Sequence, residues 1–392
     1  MKILFLDQSG KPGGAELCLI DIAKPYRDHC LVGLFADGPF RNFLEQQHIP
    51  VQILGDRLIQ VCKTSSLVEG LASLRQLAPL ITQVVRKARE YNLIYANTQK
   101  ALVVGALASF FSRRPLVYHL HDILSVDHFS QTNRRLAVTL ANRFASLVIA
   151  NSKASQAAFV EAGGRSDITE IVYNGFEPEL YQSPETNNLS LRQQLGLNGQ
   201  FVVGNFSRLS PWKGQHVLIE ALVHCPLDVT AILVGDALFG EQEYVKQLQE
   251  RVKVLGLEER VRFLGFRSDI SQLMAVCDLV AHTSTIPEPF GRVIVEAMLC
   301  GRPVVATQSG GALELVEPGI NGFLVPTNAP QQLAKVIMTC RNQPEYMANM
   351  AHQARDTASQ RFHITSINQQ IGQLLCQVVE ANRKNASALR SS

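Results

Sequence analysis

Short runs of aliphatic and β-branched residues recur along the first part of the chain: Ile3–Asp7, Leu31–Ala36, Val51–Leu54, Leu93–Asn97, Leu116–His121 and Leu147–Asn151. Longer stretches with helical spacing separate most of them, leaving room for crossover helices, and this alternation predicts a parallel α/β sheet. After a further run at Ile171–Asn174 the sequence turns polar and turn-rich over 177–200, which reads as an interdomain linker. A second series follows at Phe201–Phe206, Val229–Gly235, Val261–Phe266, Leu279–Thr283, Val304–Thr307 and Phe323–Val325. The pattern therefore predicts two doubly wound α/β units in tandem. Beyond Pro330 only helical stretches remain, ending in the polar tail ANRKNASALRSS (381–392), which is expected to fray.

Open α/β sheets bind ligands at the carboxyl ends of their strands, so two such units are expected to face one another across a cleft lined by strand-to-helix loops. A length of 392 residues suits two domains, and 46% hydrophobic with 18% charged residues supplies two cores and excludes disorder of the whole chain. With 37 basic against 34 acidic residues, a strongly basic nucleic-acid-binding surface is not expected. Cys18, Cys30, Cys62, Cys225, Cys277, Cys300, Cys340 and Cys376 show neither a CxxC pair nor metal-finger spacing, and read as reduced core residues of a cytosolic protein. The opening MKILFLDQSG is too short in apolar residues for a signal-peptide core. The longest uncharged apolar stretch, Ala101–Phe111, is about half of a bilayer span and predicts a buried helix in a soluble or at most peripheral protein.

Three loops carry candidate chemistry. SGKPGGAE (9–16) joins the first strand to a helix whose start offers unpaired N–H groups to an anion; it reads equally as a tight turn without a ligand. In FSRLSPWKGQ (206–215), Arg208 and Lys213 lie on one strand-to-helix loop and can converge on a diphosphate, whereas Trp212 reads as loop packing. In PEPFGRVIVEAMLCGRPVVAT (287–307), Glu288 precedes a Pro-Phe-Gly turn and Glu296 falls about two turns into the next helix. The helix start beside Gly291 suits a diphosphate, and carboxylates that repel phosphate suit sugar hydroxyls. The plainer alternative is one capping and one exposed helical glutamate. At the end of a strand, YHLHD puts His119 and His121 on one face, with His121 and Asp122 nearer the loop. Neither GxGxxG nor GxxxxGK[ST] occurs, which argues against a dehydrogenase or a P-loop NTPase.

These residues resemble the retaining glycosyltransferases of family 4, of GT-B architecture. The likeness runs through GGAE (13–16), HD (121–122), YNGFEP (173–178), GNFSRLSPWKG (204–214), LVGD (233–236), VRFLGF (261–266), EPFGRVIVEA (288–297) with GRPVVAT, and TQSGGALELVEPGINGFLV (307–325). It implies two Rossmann-like domains: an acceptor-side domain over 1–180, joined by a returning terminal helix at about 362–392, and a nucleotide-sugar domain over 196–361. The implied donor is a nucleoside diphosphate sugar, with no cofactor and no metal. Position by position, Arg208 and Lys213 would hold the diphosphate, Glu288 hydroxyls of the transferred sugar, and Glu296 the ribose. Backbone N–H groups at Phe290 and Gly291 would face sugar and phosphates, Gly14 the diphosphate, His121 the sugar, and Arg267 the base pocket.

The expected reaction is transfer of a hexosyl group to a hydroxyl acceptor with retention. The sequence contains no D-x-D metal motif, so Arg208 and Lys213 would neutralise the leaving group. The rivals are a sugar-nucleotide epimerase or hydrolase and a non-catalytic nucleotide-sugar-binding protein. FFSRRP (110–115) and NRRLAVTLANRF (133–144) leave open peripheral contact with the inner face of a membrane, but read equally as ordinary amphipathic helices. Base, sugar, acceptor (sugar, glycolipid or small molecule) and oligomeric state are not legible.

Overall fold

The computed structural model describes residues 1–8, 10, 12–55, 67–126, 128–182, 185–237 and 240–391. Two compact units result, one comprising Met1–Gly175 with Ile364–Ser392, the other Phe176–His363.

Seven strands form the first unit's sheet: β1 (Ile3–Asp7), β2 (Cys30–Leu34), β3 (Val51–Ile53), β4 (Leu93–Ala96), β5 (Leu116–Leu120), β6 (Ala145–Ala150) and β7 (Thr169–Ile171). Their order is β3-β2-β1-β4-β5-β6-β7 and every pairing is parallel. β1 shows why its run of apolar residues suits a central strand: Leu4 and Leu6 join one core and Ile3 and Phe5 the other, so both faces are covered. The terminal helix Ile364–Ser391 contributes Ile367, Ile371 and Leu375 to the second of these cores. Asn368 pins it further by donating from Nδ2 to the Asp21 carbonyl at 3.0 Å.

The second unit holds β8 (Phe201–Phe206), β9 (Val229–Val234), β10 (Val261–Gly265), β11 (Leu279–His282), β12 (Val304–Thr307) and β13 (Phe323–Val325). These strands run in the order β10-β9-β8-β11-β12-β13, again all parallel. In each sheet the winding reverses beside the first strand, between β1 and β4 and between β8 and β11. Such a switch point leaves a crevice at the carboxyl ends of the strands, and the loops after these four strands carry the candidate chemistry.

Four sequence readings need correction. β7 lies at Thr169–Ile171, ahead of the expected run: Val172 N–H still donates to Ala150, but the chain then turns to bury Asn174, whose Oδ1 accepts from the Cys18 thiol at 3.4 Å. The expected linker carries the helix Glu185–Gln194, anchored where the Arg192 guanidinium meets Asp278 at 3.1 Å. The polar tail continues the terminal helix to Ser391. Cys376 is exposed, while Cys18, Cys30, Cys225, Cys277, Cys300 and Cys340 are buried free thiols; Cys62 lies outside the described residues. Burial pushes the thiols of Cys30, Cys300 and Cys340 up to about 12, which suits inert core residues.

The stretch containing Ala101–Phe111 is indeed helical, Gln99–Ser112, with Thr98 capping its start. Its end is not buried, since Phe110 and Phe111 are exposed. The helix Gln131–Phe144 buries Ala137, Val138 and Ala141 on its inner face. Among the described residues, no helix is long and apolar enough to cross a membrane.

Candidate functional site

In the second unit the loop after β8 is fixed before any ligand is considered. Gln215 donates from Nε2 to the Arg208 carbonyl at 2.9 Å and to Ser207 Oγ at 2.8 Å. Thr283, just after β11, donates to the Lys213 carbonyl at 3.0 Å, and Thr285 N–H donates to the Trp212 carbonyl at 2.7 Å. Gly214 closes the loop at φ 68, where a Cβ would collide with the Thr283 carbonyl oxygen, so glycine is required both by conformation and by space. Neighbouring strands thus hold one stiff loop through its backbone.

Both cations of that loop are brought to one aromatic ring. Lys213 Nζ lies 4.2 Å and Arg208 Cζ 5.9 Å from the Trp212 centroid, within cation–π range. Trp212, read from sequence as packing, is the platform on which the two charges converge. Each also has a carboxylate. Arg208 Nε stands 3.3 Å from Glu241 Oε2, and Glu241 accepts from Ser210 Oγ at 2.6 Å. Lys213 is ion-paired with Glu288.

Glu288 itself is 7% exposed. Its Oε1 is also reached by His282 Nε2 at 3.0 Å and by Ser284 Oγ at 2.5 Å. Burial pushes this carboxyl up, but Lys213 and His282 outweigh it and hold the group well below the usual carboxylate range. All three contacts fall on one oxygen of the carboxylate. His282 ends β11 and Ser284 and Glu288 follow it, so they share the sheet's switch point with Arg208 and Lys213.

The helix Arg292–Leu299 starts at Gly291, whose φ of 96 only glycine adopts readily. Phe290 is 2% exposed and stacks on Phe176 at 6.3 Å between centroids, so its side chain belongs to the core. Gly311 N–H donates to the Glu288 carbonyl at 2.8 Å, tying the SGG loop to the same turn. Glu296 sits one turn into this helix, not the two expected, because the helix starts only at Arg292; it is not an exposed glutamate but lies 3.4 Å from Arg292 Nε, and burial pushes its carboxyl up, with Arg292 opposing. Arg267 instead closes its fork on Asp269 at 2.8 and 2.6 Å, so its donors already serve its own turn.

The first unit gathers a separate polar cluster at the ends of β1, β4 and β5. His119 is 1% exposed, with Nδ1 2.7 Å from the Tyr95 hydroxyl, and burial followed by the neighbouring His121 holds it neutral. The His121 ring lies 3.8 Å from that of His119 and, being half-buried just past the strand end, is the more accessible of the two. Its Nε2 meets Asn97 Oδ1 at 2.9 Å, while Asn97 Nδ2 donates to Asp7 Oδ2 at 2.7 Å and to the Ala15 carbonyl at 3.1 Å. Gly14 begins the helix Gly14–Ala23 and is exposed there; Ser9 and Lys11 of the same loop lie outside the described residues.

Sequence reasoning missed Glu16, Asp7 and Asn97. Burial, then Asp7 and to a smaller extent Asp122, pushes the Glu16 carboxyl up to about 7, and burial takes Asp122 to about 6. The available signal was positional: Asp7 ends β1, Asn97 follows β4, and Glu16 is the last residue of GGAE. His282 was missed for want of a partner in sequence.

Two family models match the chain: Glycosyl transferases group 1 over residues 188–357 and Glycosyl transferase 4-like domain over 13–175. Crystal structures of Anabaena HepE, in complex with UDP and with UDP-glucose, superpose with TM-scores of 0.89 and 0.90. They share 65% identity with this chain and cover 96% of it and 100% of HepE. Spore coat protein SA of Bacillus subtilis (strain 168) is 28% identical over 275 residues, 67% of this chain and 71% of that protein. The lipopolysaccharide 1,2-N-acetylglucosaminetransferase of Salmonella typhimurium is 32% identical over 174 residues, 42% of this chain and 45% of that protein.

Proposed function

The chain belongs to the glycosyl transferases group 1 family, and from that premise we propose that it moves a hexosyl group from a uridine diphosphate sugar to a hydroxyl acceptor, with retention and without a metal. Its two Rossmann-like parallel-sheet units are those of the GT-B fold. The uridine nucleotide is argued from HepE, whose complexes contain UDP and UDP-glucose. The observation that carries the reading is the convergence of Arg208 and Lys213 on Trp212 at the switch point of the second sheet.

Breaking the bond between anomeric carbon and phosphate leaves negative charge on the diphosphate and oxocarbenium character on the sugar. Fixed cations stabilise the first without reorganising, because Gln215 and Thr283 already hold their loop. Lys213 is paired with Glu288 beforehand, so an arriving diphosphate makes the ammonium a bridge between carboxylate and phosphate. The other Glu288 oxygen is assigned to sugar hydroxyls, and Glu296 to the ribose. First-turn N–H groups of the helix after Gly291 are assigned to the phosphates. His121 and Gly14 keep the roles the family resemblance implies, and the Arg267 assignment to the base pocket is the weakest, given its Asp269 partner. With both site glutamates assigned to hydroxyls, we favour same-face attack in which the departing phosphate takes the acceptor's proton.

The test is product analysis with UDP-, ADP- and GDP-hexoses, an acceptor panel and NMR of the new anomeric centre. Transfer from the uridine donor, retained configuration and turnover that persists in EDTA are expected. An inverted product, or activity abolished by EDTA and restored by magnesium, would overturn the mechanism. UDP release with no acceptor dependence would instead point to a hydrolase or epimerase.

A further inference from the structure

Beneath His121, the first unit holds two further side chains, Cys18 and His119, to which the proposed transfer gives no role. Cys18 Sγ and one ring nitrogen from each of His119 and His121 all lie within 4.8 Å of one another. They come from two elements, the helix Gly14–Ala23 and the end of β5, and Cys18 and His119 are 2% and 1% exposed. A thiol beside two imidazoles matches borderline and soft cations such as Zn2+ or Cu+ far better than Mg2+ or Ca2+.

A second observation points the same way. His119 is almost wholly buried, yet its Nε2 has no hydrogen-bond partner among the described residues. Its Nδ1 is meanwhile held by the Tyr95 hydroxyl. His121 has Nε2 on Asn97 Oδ1, and Asn97 is itself locked by Asp7 and Ala15. Ligating histidines characteristically have their other nitrogen fixed by an outer partner in this way.

We propose that Cys18, His119 and His121 bind one thiophilic cation, with Zn2+ as the occupant to test first. Binding forms an S–Zn and two N–Zn bonds and releases the Cys18 thiol proton to solvent. Three protein ligands leave one tetrahedral position open. Occupancy also withdraws His121 from substrate, so the cation is an inhibitor; that consequence, unlike the binding itself, rests on the function proposed above.

The experiment titrates the metal-stripped full chain with Zn2+ against a chromophoric chelator, with Cys18→Ser, His119→Gln and Tyr95→Phe variants alongside. One equivalent is expected, weakened by about 10–100-fold in Tyr95→Phe, the loss typical of removing an outer partner, and by at least as much in the ligand variants. Co2+ in place of zinc should give a sulfur-to-metal charge-transfer band that Cys18→Ser lacks. A parallel Cu+ titration that displaces zinc would make copper the occupant of the same site. Should wild type bind no more zinc than Cys18→Ser, or its Co2+ form lack the band, the site does not exist. The spectroscopic readout needs only wild-type protein, so a variant that misfolds does not shield the proposal.

Discussion

Lys213 and Glu288 lie 75 positions apart in the chain and form an ion pair in which the carboxylate is nearly buried. The loop after β8 supplies the cation and the loop after β11 the anion, so the contact exists only because those two strands are neighbours at the switch point. Glu288→Gln removes the charge but little volume. Leaving a partly buried ammonium without its counter-ion should cost about 3 kcal/mol of stability. Denaturant titrations at neutral pH check this, and a variant as stable as wild type would show that the pair is idle.

The same carboxyl sets a pH dependence. Its folded pKa is depressed, so the stability it contributes is present above the ordinary carboxylate value and is lost as pH falls through the low folded value. Wild type should therefore lose stability with acid more steeply than Glu288→Gln, a difference readable in melting temperatures taken at descending pH.

Glu16 behaves in the opposite sense. Its carboxyl moves from 4.5 to about 7 on folding, so the native protein holds a proton that the unfolded chain gives up. Stability falls as pH rises between those values, by up to roughly 3 kcal/mol. Glu16→Gln should be more stable than wild type at pH 8 and no different at pH 4. Equal pH profiles would mean that Glu16 ionises freely.

Arg208→Ala should lower turnover at saturating donor by roughly 3 kcal/mol of transition-state stabilisation, the scale of losing one preorganised donor. A loss confined to KM would place Arg208 in ground-state binding only. Trp212→Leu removes the shared ring without touching either charge, and a coupled loss of about 1 kcal/mol is expected from it.

Gly214→Ala forces a Cβ into the Thr283 carbonyl at a positive φ. A penalty of about 1–3 kcal/mol in stability, with a fall in turnover as Lys213 shifts, is expected. A neutral result would mean that the loop is not held as tightly as its hydrogen bonds imply.

The chain's own periodicity determined the two parallel sheets, strand by strand, because a central strand covered on both faces must be apolar at nearly every position, as β1, β4 and β9 are. β7 escaped it since TEI is polar at two of its three positions, and the expected run was drawn downstream to begin at Ile171. Loop chemistry was legible wherever the partners lie close in sequence, as Arg208 and Lys213 do on one loop. Pairing was not. Nothing in HTSTIPEPF says that His282, Ser284 and Lys213 meet on one oxygen of Glu288, and nothing in YANTQ says that Asn97 spans Asp7 and His121. Those contacts are made across strand order, which hydrophobic spacing leaves unspecified and only packing of the sheet decides. The ionisation of Glu16 and Glu288 follows from the same cause: burial pushes both carboxyls up, Asp7 adds to it at Glu16, and Lys213 with His282 outweighs it at Glu288, so the tertiary structure drives two ordinary glutamates in opposite directions.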